Sequence, residues 1–317
     1  MRIAAFPKAY LHPMLVARTM SVHDWIEAAR VLPVEGLELH TGFFWEDTRA
    51  ELDRVGEALA RASFEMPMLC ASPDFTHPDA GERAREFDRQ VRAVEIAAHL
   101  GGDAPTCRVL SGQAHPAVSR EQGLDWAADA IVRLLPVAAQ LGVTLCLENH
   151  YKASTWAYPE FAQRREVFLA LLDRVGEHEW FGVQYDPSNA LVAGDDPVDL
   201  LRAVVERVRT VQASDRHLAS GAPLESLRRS DGTIGYSPDL VHGVVGAGLN
   251  DYEGIFEVLA GAGYDGWISI EDGVDGMAEM AASARFLAGA RDRWFGGSRE
   301  VRVEARERRR AGAGGAG

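Results

Sequence analysis

The chain has 317 residues, 47% of them hydrophobic, and a formal net charge of −14. That is enough apolar material for a large core, in one barrel or two smaller domains. The charge disfavours extended contact with nucleic acid or an anionic membrane, either of which needs a coherent basic surface. The three cysteines, Cys70, Cys107 and Cys146, form no CxxC pair and read as buried thiols of a reducing compartment. The apolar run in MRIAAFPKAY is too short for a signal peptide and no stretch reaches membrane-span length, so a cytoplasmic location is expected.

Strand-like runs begin at Arg2 (RIAAF), Gly36 (GLELH), Glu65 (EMPMLCAS), Thr106 (TCRVLSGQ), Thr144 (TLCLENH), Phe181 (FGVQYD), Thr210 (TVQASD) and Trp267 (WISIED). Helical spacing fills the intervals, as in DRQVRAVEIAAHLGG, GLDWAADAIVRLLPVAAQLGV and YEGIFEVLAGAGYDG, several closed by a glycine suited to a helix C-cap. This βα alternation predicts an α/β fold, a (β/α)₈ TIM barrel, with a doubly wound open sheet as the alternative. FPKAYLHPM follows the first strand, where a nucleotide-binding sheet would carry a glycine-rich phosphate fingerprint, and that weakens the alternative. The barrel domain is expected over 1–294, with an unusually long loop at about 216–250 after the seventh strand, where lids and substrate loops occur. Residues 295–317, rich in arginine, glycine and alanine, read as a disordered tail.

Four strands carry the chemistry. Residues of one parity are apolar and face covering helices: Leu145 and Leu147; Phe181, Val183 and Tyr185; Val211 and Ala213; Ile268 and Ile270. The other parity holds Glu148, His150, Gln184, Asp186, Gln212, Ser214 and Glu271, which period-two alternation turns inward together. Catalytic groups of such barrels sit at the C-terminal strand ends. The oxygen donors Glu148, Asp186, Gln212 and Glu271 suit a hard divalent cation, Mn²⁺ or Mg²⁺; zinc is less suited, because this set has neither histidine nor thiolate. His150 is a candidate base, and Lys8 a candidate partner for a developing oxyanion. Asn189, Asp215, Arg216 and His242 are candidate contacts to substrate hydroxyls, although DPSN can also start a helix. Glu38 and His40 share a strand face and line the same cavity, and Phe43, Phe44, Trp45 and Trp156 are placed to form an apolar wall.

At LENH (147–150), YDPSN (185–189), QASDR (212–216) and GYDGWISIEDG (263–273) the chain resembles the sugar phosphate isomerase/epimerase family, part of the xylose-isomerase-like TIM-barrel superfamily that includes D-tagatose 3-epimerase. The likeness runs roughly from Arg2 to Leu287. It implies metal-ligating roles for Glu148, Asp186 and Glu271. One position departs: the family's strand seven reads histidine, two residues, then aspartate, and here Gln212 precedes Asp215. A glutamine can ligate through its amide oxygen; alternatively, His217 or His242 reaches in from the long loop.

The resemblance implies a small-molecule sugar substrate and metal-assisted proton removal beside the carbonyl of a keto-sugar or related polyol, with Glu148, Glu271 or His150 moving protons. Two alternatives stand beside it. One is a lyase similar to C-glycoside deglycosidases, eliminating from 3-oxo-glycosides with a small partner subunit. The other is a noncatalytic sugar-binding barrel with a degenerate metal site. A homo-oligomer is compatible with each.

Overall fold

An extended chain turns successive side chains to opposite faces, and here the inward faces of the strands meet round a closed axis. The computed structural model describes residues 1–153, 156–218, 221, 223, 240–271 and 275–296. Round the barrel the order is β2 (Gly36–Leu37), β1 (Arg2–Ala5), β11 (Trp267–Ile270), β8 (Val208–Ala213), β7 (Phe181–Tyr185), β6 (Thr144–Glu148), β5 (Thr106–Val109), β4 (Met68–Cys70) and β3 (Leu39–His40). Every pairing in this sheet is parallel. β2 and β3 are halves of the single strand expected at GLELH. The first half pairs with β1 and the second with β4, so the stave changes partner at Glu38 and brings the two ends of the strand order together.

Helices α1 (Val22–Ala29), α2 (Arg49–Ala62), α3 (Ala80–Leu100), α4 (Arg120–Leu141), α5 (Arg165–Val175), α6 (Pro187–Ala193), α7 (Pro197–Val204), α8 (Tyr252–Gly261) and α9 (Met277–Trp294) occupy the intervals. Their starts are chemically marked: Ser21 and Ser119 each form a reciprocal capping box, with Asp24 and Gln122, satisfying backbone donors that have no partner within the helix. α4 ends at Gly142 in the left-handed region, φ 68°, a conformation glycine adopts without strain. The apolar parity of the strands is buried in one continuous core, including Leu145, Leu147, Val183, Tyr185, Val211, Ala213, Ile268 and Ile270. The three cysteines are buried free thiols. Burial pushes Cys107 up to about 12 and raises the other two, so all three stay protonated and take no part in nucleophilic chemistry.

The long segment after β8 is partly structured. β9 (Arg216–Leu218) and β10 (Leu240–His242) form an antiparallel ribbon, with Arg216 opposite His242 and Leu218 opposite Leu240. Apart from 221 and 223, the part of the expected loop between these strands lies outside the described residues. Core packing reaches Phe295, buried edge-on against Phe256 at 6.1 Å, one residue past the boundary that composition marks. The tail expected from there is outside the described residues from 297 onward. No helix among the described residues is long and apolar enough to cross a membrane.

Candidate active site

The polar parity builds the site in two tiers. Within the barrel, Glu148 lies in register beside Gln184, Gln212 beside Ser269, and Arg108 beside Cys146. Just past the strand ends come Lys8, Asp186, Ser214 and Glu271. Glu148 is pinned on both oxygens: Arg108 Nη1 donates to Oε2 at 2.8 Å and Asn189 Nδ2 donates to Oε1 at 2.9 Å. Arg108 is itself locked, its Nε on the Ala71 carbonyl at 3.1 Å and its Nη2 on Ser72 Oγ at 3.0 Å. Beyond β11, Glu271 Oε1 accepts from Lys8 Nζ at 3.0 Å, so neighbouring β1 and β11 bring together residues from opposite ends of the domain.

Asp186 is the N-cap of α6, Pro187 being its first residue. Its Oδ1 accepts from the Asn189 amide at 3.0 Å and from Ser214 Oγ at 2.7 Å, whereas its Oδ2 has no partner. Gln212 Nε2 donates to Glu38 Oε2 at 2.8 Å, leaving Gln212 Oε1 and Glu38 Oε1 unpaired. Both ends of the Gln184 amide are also unpaired. Buried acceptors without donors are rare and costly, and these belong to residues of the inward-facing parity.

Burial governs the titration of the cluster. It raises Glu148 to about 7, with the Arg108 cation opposing and the Glu271 charge reinforcing the shift. Burial lifts Glu38 to about 8 and Asp186 well above the usual carboxylate range, Glu271 and Glu148 adding repulsion. Lys8 loses hydration, but the charge of Glu271 and its hydrogen bond outweigh that and hold it above its ordinary value. His40 is lowered to about 3 by burial and by Arg108. His150 and His242 are lowered by burial and by nearby cations, so these three rings are neutral at neutral pH.

The structure therefore brings Glu38, Glu148, Asp186, Gln212, Glu271, Lys8 and Asn189 into one cluster. Of the other expected residues, Arg216, His242 and His150 lie within electrostatic reach of Lys8, while Asp215 has other work. Asp215 spends its carboxylate on the loop: Oδ1 accepts from the amides of Arg216 and Asn250, and Oδ2 from those of Gly246 and Gly248. It is an anchor, with no oxygen left over for a substrate hydroxyl. Arg216 lies over the Tyr151 ring at 5.1 Å, its Nε and Nη2 unpaired, and His242 faces it across the ribbon. His150 Nδ1 comes within 3.6 Å of Glu160 Oε2. That approach is not an ion pair, since burial keeps the imidazole neutral and lifts Glu160 to about 8.

Glu160 gives a pH prediction. Its carboxyl is buried on Ser111, accepting from the Ser111 amide at 2.8 Å and from its hydroxyl. The folded protein holds this proton to about pH 8, whereas the unfolded chain releases it near its ordinary pKa of about 4.3. Stability from this group is therefore full at low pH and drains as pH rises to about 8. Glu160→Gln should remove that slope: between about pH 5 and about pH 8 the wild-type melting temperature should drop by several degrees more than the variant's. Parallel melting curves would contradict the assignment.

Arg108 is the residue that the search for ligand-type side chains passes over. The signal was present, because Arg108 stands between apolar Cys107 and Val109, the same alternation that marks Glu148. Of the aromatics, Phe43 packs into the core against Phe6 at 5.7 Å. Phe44, Trp45 and Trp156 line a cleft of about 640 Å³ together with His40, Ser72 and Asp74. None of the clustered carboxylates lines this cleft, and Ser72 links the two through Arg108.

The expected cation site does not assemble. A hard cation takes unclaimed oxygens from several ligands. Here Arg108 and Asn189 donate to Glu148 and Lys8 donates to Glu271, and Gln212 is tied to Glu38 through its Nε2 while its Oε1 stays open. Among the described residues no three His, Cys, Asp or Glu side chains converge as an ion requires, so neither His217 nor His242 supplies the missing ligand. As placed, these side chains do not converge on a Mn²⁺ or Mg²⁺ ion.

A family model described as xylose isomerase-like TIM barrel matches residues 26–290. An inosose dehydratase of Geobacillus kaustophilus is 31% identical over 147 residues, 45% of this chain and 43% of that protein; the chain thus spans less than half the length of this curated relative. A D-tagatose 3-epimerase-like protein superposes with a TM-score of 0.69 at 18% identity, covering 92% of this chain and 97% of the other. The IOLI protein, solved with a zinc atom, superposes with a TM-score of 0.68 at 15% identity, over 93% and 99% of the two chains.

Proposed function

The chain belongs to the xylose isomerase-like TIM barrel family, and from that premise we propose that it is an enzyme of the isomerase/epimerase type, removing a proton beside the carbonyl of a keto-sugar or keto-polyol. The observation that carries this reading is the pair Glu148 and Glu271. These carboxylates stand on one rim, separated by β7 and β8, each beside its own cation, Arg108 and Lys8. A carboxylate raised to about 7 is matched to proton transfer at neutral pH, because general catalysis is most effective when the pKa lies near the working pH. The unpaired polar atoms Asp186 Oδ2, Gln212 Oε1 and Glu38 Oε1 suit a ligand rich in hydroxyl groups, which both donate and accept.

In this mechanism one glutamate takes the proton of the carbon beside the carbonyl. The C–H electron pair forms the enediolate double bond, and the carbonyl π pair moves to oxygen, where an ammonium or guanidinium offsets the charge. Return of the proton from the second glutamate to the opposite face gives the epimer; return to the neighbouring carbon gives the isomer. No step is routed through Mn²⁺ or Mg²⁺, since the carboxylates among the described residues do not converge on one ion. His150, kept neutral beside Glu160, orients rather than carries protons in this scheme.

One observation favours a second outcome from the same first step. The stretch shared with the inosose dehydratase supports elimination, in which the enediolate expels a β-substituent, either water or an aglycone. Incubation in deuterated water with a panel of keto-sugars and ketoinositols separates these outcomes by mass spectrometry. One deuteron gained without mass loss indicates isomerisation or epimerisation, and loss of water or aglycone indicates the lyase. If the folded protein binds such a sugar and exchanges no proton, the enzyme reading fails and a sugar-binding barrel replaces it.

A further inference from the structure

We infer that in this chain the side chains of Arg108 and Lys8, each donating to one of the two rim glutamates, supply the positive charge that a divalent cation would bring, so that the site works without bound metal. The inference rests on the proton-abstraction reading for its chemistry and on geometry for its argument. Three features coincide. Arg108 is a buried guanidinium engaged through all three nitrogens, on Glu148, Ser72 and Ala71, which fixes a positive charge against the β6 glutamate that cannot titrate away in water. Lys8 does the same for Glu271, and an ammonium has two further N–H groups to offer an oxyanion. The position where the family pattern has a histidine is Gln212, whose amide hydrogen is turned to Glu38.

These changes support one another. A dication bound to Glu148 and Glu271 would sit beside two fixed positive charges, whose repulsion opposes its binding. Without it, each glutamate still has a counter-charge, and the rim keeps two positive centres for the enediolate oxygens. During proton removal the C–H pair passes into the new C=C bond and the carbonyl oxygen becomes the anion. Lys8 donates to that oxygen, and Arg108 holds Glu148 in position for the proton. No oxidant, reductant or co-reactant is needed for this balance.

The test has a readout that does not need substrate. The wild type, Lys8→Gln, Arg108→Gln and Arg108→Gln/Gln212→His proteins are analysed for metal content as purified and titrated with Mn²⁺ under electron paramagnetic resonance, with circular dichroism confirming the fold. The expected result is no stoichiometric metal in the wild type, and Mn²⁺ bound by the double variant. Exchange in wild type should survive dialysis against a chelator, while Lys8→Gln, whose side chain is less enclosed than that of Arg108, lowers kcat by about 10²-fold. One equivalent of tightly bound metal in wild type, or exchange abolished by chelator and restored by Mn²⁺, would overturn the inference. If no keto-sugar exchanges at all, the proposed function falls, and the Mn²⁺ titration still decides this point.

Discussion

Glu148→Gln is expected to lower the rate of solvent-proton exchange by about 10²- to 10⁴-fold, the usual contribution of a positioned acid or base. The amide occupies the same space. Its carbonyl oxygen still accepts from Arg108, and Asn189, which donates to Glu148 Oε1 at 2.9 Å, can rotate its own amide to accept instead. What disappears is the basic oxygen and the charge facing a buried guanidinium. Stranding one partner of a buried pair costs roughly 3–5 kcal/mol, so the melting temperature should fall as well, and exchange must be compared where circular dichroism shows both proteins folded. Glu148→Asp keeps the charge but withdraws it by one methylene, and should land between the two. Retention of exchange within about tenfold by a folded Glu148→Gln protein would remove Glu148 from proton transfer, since even a modest general base contributes more than that.

Asp215→Ala should destabilise the protein strongly, by about 4 kcal/mol. The carboxylate gathers four backbone amides from the segment after β8, those of Arg216 at 2.9 Å, Asn250 at 3.1 Å, Gly246 at 3.0 Å and Gly248 at 2.9 Å. It is fully buried, and hydrogen bonds to an ionised acceptor are among the stronger ones. Alanine leaves those donors facing a cavity and releases the base of the β9–β10 ribbon. Urea denaturation distinguishes this anchoring role from the substrate contact that its place in QASDR implies. Anchoring predicts a lowered midpoint with an altered kcat. A substrate contact predicts an unchanged midpoint and a raised KM, and that pattern would refute the anchor.

The residues themselves show how far sequence reasoning reaches. All eight staves were legible, and so was the inward parity of four, because apolar and polar residues alternate visibly in TLCLE, FGVQY, TVQA and WISI. The division of GLELH into β2 and β3 was not, because it depends on which neighbour each half pairs with in the closed barrel, β1 for the first and β4 for the second. DPSN could be read as a helix start, and Asp186 does cap α6, but that role uses one of the oxygens that a metal ligand would offer. The ribbon after β8 also escaped, since a segment rich in glycine, proline and serine reads as loop until its two arms pair.

Covalent geometry alone determined which side chains of each strand face the axis, and therefore that Glu38, Arg108, Glu148, Gln184, Gln212 and Ser269 share an interior. Barrel closure decided who meets whom. Lys8 reaches Glu271 because β1 lies beside β11, and Arg108 reaches Glu148 because β5 lies beside β6. Neither pair has a spacing that a linear reading could recognise, since alternation is a property of one extended chain while strand adjacency is a property of the closed sheet.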